Sequence, residues 1–179
     1  RVLTILLIST IFAGELEVDG GITATGEIQS PTIEALLEQI AQLHAEGFEI
    51  GNHTRDHVGI TDQTVNQLGV QLEGIDQQCR RYGIPKPISF AYPGNAITEQ
   101  ALSVLEGHGI KFARRGGVPK FSYEEGRGVA YEPNLDHPLL VPSAGDARPA
   151  WELGNFTRAL DQAKQGKIAI LQFHGVPDT

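Results

Sequence analysis

Methionine is absent and cysteine occurs once, as Cys79, in a chain of 179 residues. A single cysteine excludes an internal disulfide framework, and its place beside Arg80 and Arg81 in a helix-period segment makes it an ordinary semi-buried thiol. Basic residues are scarce: 14 Lys and Arg stand against 22 Asp and Glu, a net charge of −8 with no basic block. Nothing in that distribution would neutralise a run of phosphates, so nucleic acid is not an expected partner. Long apolar runs are missing as well. The longest, Ile5–Ile8, falls far short of the roughly 18 residues that a membrane span requires, and no span is expected. What remains is the composition of one soluble globular domain, residues 1–179.

The chain opens on Arg1 rather than on Met, as a processed or trimmed product would. Within Arg1–Ala13, β-branched Val2, Thr4, Ile5, Ile8, Thr10 and Ile11 predict one or two buried strands. A basic residue, an apolar stretch and the small residues Ala13 and Gly14 also fit a secretory leader; the strand is the preferred expectation. The other end stops at Asp178 and Thr179, directly after an apolar strand and with no closing helix, as though cut short.

Between the ends, helix-period and strand-like segments alternate, the pattern of βαβ units and a parallel sheet. Ser30 is a good N-cap and Pro31 suits the first helical position; Ile33, Leu36, Leu37, Ile40 and Leu43 then repeat on one face until Gly47. A short strand at Phe48–Gly51 follows. A second helix opens at Thr61 or Asp62, turns Val65, Leu68, Leu72 and Ile75 inward, and ends at Gly83 before Pro85 and Pro87. Next come a strand at Ile88–Tyr92, a helix from about Ile97 to Gly107 and a strand at Ile110–Ala113. Arg114–Arg148 is expected to be a long functional loop region with one strand at Leu139–Val141. A helix over Trp151–Gln165 and a strand over Lys167–Phe173 close the pattern.

In repeated βα architectures the working residues sit at the carboxyl ends of strands. Those positions are polar here: Gly51-Asn-His53-Thr-Arg-Asp-His57, Ala91-Tyr-Pro-Gly-Asn95 and His174-Gly175. His53 and His57, four apart, would present two imidazoles on one face if the segment makes a helical turn, as metal ligation needs. By spacing alone the pair is more often a chance pairing or two solvated helix residues; its place after a strand and the polar residues between the histidines favour the ligand reading. Two imidazoles also leave a zinc-type site short of its usual third protein ligand, so a carboxylate has to be found.

Phe48-Glu-Ile-Gly-Asn-His-Thr-Arg-Asp-His57 resembles the second motif of the polysaccharide deacetylase family, the NodB-like carbohydrate esterases. Ser89-Phe-Ala-Tyr-Pro-Gly94 is similar to its third motif and Ile170-Leu-Gln-Phe-His-Gly175 to its fifth, in the family's order. The resemblance covers about residues 8–179. It implies an α/β fold, a distorted (β/α) barrel incomplete at both ends. It also implies removal of acetyl groups from N- or O-acetylated oligo- or polysaccharide with a divalent metal, most often zinc. Carried across, His53 and His57 become metal ligands and His174 the general acid. Gly94 stands where the family has an aromatic residue whose backbone N–H helps hold the oxyanion; a backbone donor survives the change of side chain. Tyr92 and Pro93 would shape that turn.

The sequence also departs from the family. Members carry two adjacent aspartates, a base and a third ligand, at the end of the first strand, and no Asp-Asp pair occurs in this sequence. Ser9–Phe12 resembles the family's second strand, which puts the expected pair upstream of it. Asp19 is the nearest acidic residue, although Asp-Gly is first a turn signal. Ala91 replaces a frequent arginine, for which Arg114 or Arg115 could substitute. Asp146 is the best match for the aspartate that orients the acidic histidine. Trp151 could line a sugar-binding surface or belong to the core.

The leading expectation is therefore a metal-dependent carbohydrate deacetylase, working outside the cytoplasm as polymer-processing members of the family do, in the periplasm, at the cell wall or secreted. A non-catalytic carbohydrate-binding domain without the aspartate pair is the rival, and a metal hydrolase of other amides on a similar barrel is a third possibility.

Overall fold

Short β-branched and apolar segments pair as parallel strands here because helical segments carry the chain back between them. The computed structural model describes residues 5–8, 17–18, 22–23, 30–121, 128–147, 150–164 and 166–173. The chain divides into two compact units, Arg1–Glu17 with Thr23–Lys111, and Val18–Ile22 with Phe112–Thr179.

In the first unit the strands are β1 (Ile5–Ile8), within the segment where one or two strands are expected, then β4 (Glu49–Asn52) and β5 (Ser89–Ala91). Two-residue strands β2 (Glu17–Val18) and β3 (Ile22–Thr23) lie between β1 and the first helix in sequence. β4 lies between β1 and β5, parallel to both, with Ile8 opposite Asn52 and Asn52 opposite Phe90. All three residues of β5, and Ile50, Gly51 and Asn52 of β4, are buried, as a parallel sheet covered by helices requires. Helix α1 (Ser30–Ala45) precedes β4, and α2 (Leu68–Arg81) follows it.

Helix α2 starts later than the periodicity predicts, because Val65–Gln67 forms a single 3-10 turn. Thr64 fixes that turn: its Oγ1 accepts from the Thr61 N–H at 2.9 Å and donates to the Gly59 carbonyl at 2.7 Å. Leu68, Leu72, Ile75 and Cys79 form the buried stripe of α2, and Ile75 and Cys79 pack with Ile50 and Ile84. Two polar residues, Gln71 and Asp76, are buried in the same stripe. Helix α3 (Gln100–His108) buries Ala101 and Leu105, and its His108 Nε2 donates to Asp76 Oδ2 at 2.8 Å. Among the described residues no helix is long and apolar enough to cross a membrane.

In the second unit, β6 (Phe112–Arg114) meets Val141: the Val141 N–H donates to Ala113 O at 2.9 Å and the Arg115 N–H to Val141 O at 2.8 Å. The strand expected at Leu139–Val141 is instead a 3-10 turn over Pro138–Leu140, because His137 takes the Leu139 and Leu140 N–H groups, and Val141 alone bridges to Arg114 in parallel. Within the region read as a loop, Gly145–Ala147 forms β7, parallel to β8 (Leu171–Phe173) and in register Asp146 to Gln172. The final strand is thus shorter than its apolar run, with Ile168 joined to Tyr131 by a single antiparallel bridge. Helix α4 (Leu153–Asp161) lies between β7 and β8 in sequence.

Burial pushes the Cys79 thiol up from 9.0 to about 11. Because the folded state disfavours the thiolate, Cys79 contributes stability that is whole below about pH 9 and is lost as pH rises toward 11. A disulfide reagent at pH 8 is expected to label the native protein far more slowly than the urea-unfolded chain. Equal rates would contradict the burial.

Candidate metal centre

The two imidazoles meet, but not on a helical turn. Residues 53–57 leave β4 as an irregular turn in which Thr54 (φ 66°) and His57 (φ 52°) are both left-handed. For β-branched Thr54 this is a costly conformation, about 1–3 kcal/mol, and it persists only where neighbouring bonds over-determine it. Those bonds are present. Asn52, fully buried at the end of β4, donates from Nδ2 to the Leu72 carbonyl in α2 at 3.1 Å. Its Oδ1 accepts the Thr54 N–H at 3.0 Å, and Thr54 Oγ1 accepts the Val58 N–H at 3.0 Å. The ring centroids of His53 and His57 lie 4.8 Å apart with the planes inclined at 68°.

His53 is half-buried and His57 exposed. His53 Nδ1 lies 2.8 Å from the carbonyl oxygen of Ala91, the last residue of β5. A carbonyl can only accept, so Nδ1 carries the proton and the neutral ring's lone pair sits on Nε2. A metal-ligating histidine is commonly held in this way, with its second nitrogen bonded to a carbonyl. The donor chemistry of the pair therefore fits a divalent metal, and zinc is bound by such imidazoles.

Between the histidines, Arg55 grips Asp56 with two bonds, Nε to Oδ1 at 2.9 Å and Nη2 to Oδ2 at 2.8 Å. That guanidinium, aided by Gln71 and opposed by partial burial, holds the Asp56 carboxyl below the ordinary carboxylate range. Among the described residues no Asp, Glu or Cys joins His53 and His57 as a third ligand. The His/Asp/Glu group that does converge there is Glu73, Asp76 and His108, with ligand atoms within 4.8 Å of one another. One oxygen of each carboxylate is engaged: Arg80 takes Glu73 Oε1 at 2.6 Å, and His108 and Lys86 take Asp76 Oδ2 at 2.8 and 3.3 Å, while Asp76 Oδ1 is buried without a hydrogen-bond partner. This group ties α2 to the end of α3.

The β5 turn adjoins the histidine loop through the Ala91 carbonyl. Tyr92 and Pro93 are buried, with the Tyr92 ring edge-on to Phe90 at 5.1 Å, while Gly94 is exposed. Gly94 and Asn95 are both left-handed, at φ 58° and 54°, which suits glycine and is tolerated by asparagine.

In the second unit Arg114 donates from Nη1 to Gln172 Oε1 at 2.6 Å, and Gln172 is the register partner of Asp146. Arg115, the other arginine considered, is almost wholly buried and donates from Nη1 to the Gly116 carbonyl. Trp151 lies edge-on to Phe156 at 5.0 Å and covers Gly145 so closely that a Cβ there would sit 2.4 Å from its ring. Trp151 is therefore at least partly a packing residue. His174, Asp19 and Ser9–Phe12 lie outside the described residues. Sequence reading missed Gln71 and Asn52. The one signal for Gln71 was a polar residue on an otherwise apolar helix stripe.

Comparison with known proteins bears on the family and the fold. A family model described as polysaccharide deacetylase matches residues 19–113 of the 179. No curated protein matches. Among solved structures, one described as a candidate polysaccharide deacetylase from Mycobacterium smegmatis is 11% identical with a TM-score of 0.51, over 80% of this chain and 55% of that one. The Streptococcus pyogenes deacetylase PplD is 16% identical with a TM-score of 0.41, over 59% of this chain and 42% of that one. The Bc1960 peptidoglycan N-acetylglucosamine deacetylase is 15% identical with a TM-score of 0.46, over 97% and 72%. The chain thus spans less than half the length of the Streptococcus pyogenes protein.

Asn52→Ala is expected to leave the Thr54 N–H without its acceptor and to lower unfolding free energy by about 1–3 kcal/mol. Urea titration would show this as a lower midpoint at unchanged slope, and an unaltered midpoint would deny Asn52 its role. The family-model match over residues 19–113, more than half of the chain, shows that the chain belongs to the polysaccharide deacetylase family, and its mixed α/β fold with parallel strands accords with that.

Proposed function

We propose that the chain is a single domain of a metal-dependent deacetylase acting on N- or O-acetylated carbohydrate. The observation that carries this is the meeting of His53 and His57, with His53 held by Ala91 so that Nε2 bears the lone pair. The two imidazoles would hold a divalent cation, zinc foremost. When bound, such a cation polarises an acetyl carbonyl and lowers the pKa of water.

The chain's own residues would do the rest. The Gly94 backbone N–H, on the exposed turn after β5, would donate to the oxygen on which negative charge develops. Tyr92 and Pro93 fix that turn from beneath. His174 would give a proton to the departing sugar amine or hydroxyl, oriented by Asp146, and Arg114 would take the part of the arginine that orients the catalytic carboxylate. Trp151 would offer ring area to a pyranose face. We place the work of such an enzyme outside the cytoplasm, at the cell wall, in the periplasm or in the medium, where acetylated polymers lie.

A binding domain without turnover is the second reading. It is favoured by the absence of an Asp-Asp pair from the sequence and of a third ligand among the described residues. Acetate release from acetylated chito-oligosaccharide or xylan separates the two. The deacetylase is expected to release acetate with added zinc or cobalt and to lose at least 100-fold in rate in His53→Ala. His174→Ala should lose a comparable factor while retaining metal, since general acid catalysis supplies about 10²–10⁴-fold. Retention of oligosaccharide with no acetate released would establish the binding domain.

A further inference from the structure

Gln71 occupies a position in α2 where the stripe of Leu68, Leu72, Ile75 and Cys79 calls for an apolar side chain. It is buried, at 5% exposure, and such an amide is retained in a core only where its hydrogen bonds are met. Both are met by one residue of the histidine loop. Gln71 Oε1 accepts the Asp56 N–H at 2.9 Å, and Nε2 donates to Asp56 Oδ2 at 2.7 Å. Three residues along the same helix, Gly74 leaves a notch for the Arg55 side chain: a Cβ there would lie 2.8 Å from Arg55 Cδ. Helix α2 therefore holds the two residues immediately before His57 by an amide clamp and a steric notch. The same contacts remove Asp56 from candidacy as a metal ligand, because Arg55 and Gln71 claim both of its oxygens.

We infer that Gln71 is a positioning residue for the metal pair: by fixing the Asp56 peptide and carboxylate it sets the left-handed backbone of His57 and holds its ring against His53. Its premise is the metal-binding role proposed above for the two histidines. No bond of Gln71 reaches either imidazole directly; its effect passes through Asp56.

Two measurements on the full chain test this. Calorimetric titration with cobalt or zinc reads affinity, and the inter-ring nuclear Overhauser effect between His53 and His57 reads ring pairing without any metal. Gln71→Met, which keeps volume and removes both bonds, is expected to weaken metal binding 10- to 100-fold and to diminish the inter-ring signal. Because Gln71→Met could also disturb folding, a second variant exchanges the partners. Gln71→Glu combined with Asp56→Asn supplies carboxylate acceptors for the residue 56 N–H and for the new side-chain amide at the cost of the Arg55 Nη2 bond to that position, and is expected to regain part of the lost affinity. Wild-type affinity and an intact inter-ring signal in Gln71→Met would overturn the inference. So would a loss in Gln71→Met that the exchanged pair fails to recover. If the wild-type chain binds no metal while Gln71→Met still loses the inter-ring signal, the metal reading falls and the positioning role stands.

Discussion

Asn52 is the side chain on which the candidate site depends. It ends β4, and its buried amide has one arm on the α2 backbone and one on the loop that turns away from the sheet. Thr54 is fully buried, so its N–H must find its acceptor within the protein, and the Asn52 side chain supplies it. Once the Thr54 N–H has its acceptor, the left-handed turn at Thr54 becomes tolerable. The chain then doubles back, and His53 and His57 come to lie ring against ring.

The loop is supported from three directions, each by a different kind of bond. Asn52 secures its start, the Ala91 carbonyl orients His53 from the neighbouring strand, and Gln71 holds the peptide before His57 from α2. The left-handed backbone at Thr54 and His57 lies where, among the described residues, the imidazoles of His53 and His57 meet. Strain persists in folded proteins where surrounding contacts fix it, and such places are often functional. The second buried polar residue of α2, Asp76, serves a separate purpose, joining α2 to His108 and Lys86.

Much of this could be read from residue order. Helix-period stripes ending at glycines located α1, α2 and α3, and the polar strand ends located the histidine loop and the Tyr92–Gly94 turn. The distance in sequence between His53 and His57 was informative, yet the helical turn inferred from it does not form. The left-handed backbone is held by a local bond from Asn52 to the Thr54 N–H together with tertiary bonds from Asn52 to Leu72 and from Gln71 to Asp56, and the tertiary ones have no local pattern. Gln71 was hidden for the same reason, since one polar residue on an apolar stripe reads as an interruption until its partner is seen. Strand β7 was missed because Gly145, Asp146 and Ala147 have little strand preference of their own; pairing with β8 makes them a strand.

X-ray absorption at the metal edge of the zinc- or cobalt-loaded chain bears most directly on the histidine pair as a metal centre. Two imidazole nitrogens at about 2.0–2.1 Å, the ordinary zinc–histidine distance, are the predicted result, with that contribution absent from the His53→Ala, His57→Ala variant. A spectrum fitted by oxygen ligands alone, or one unchanged in the double variant, would contradict it.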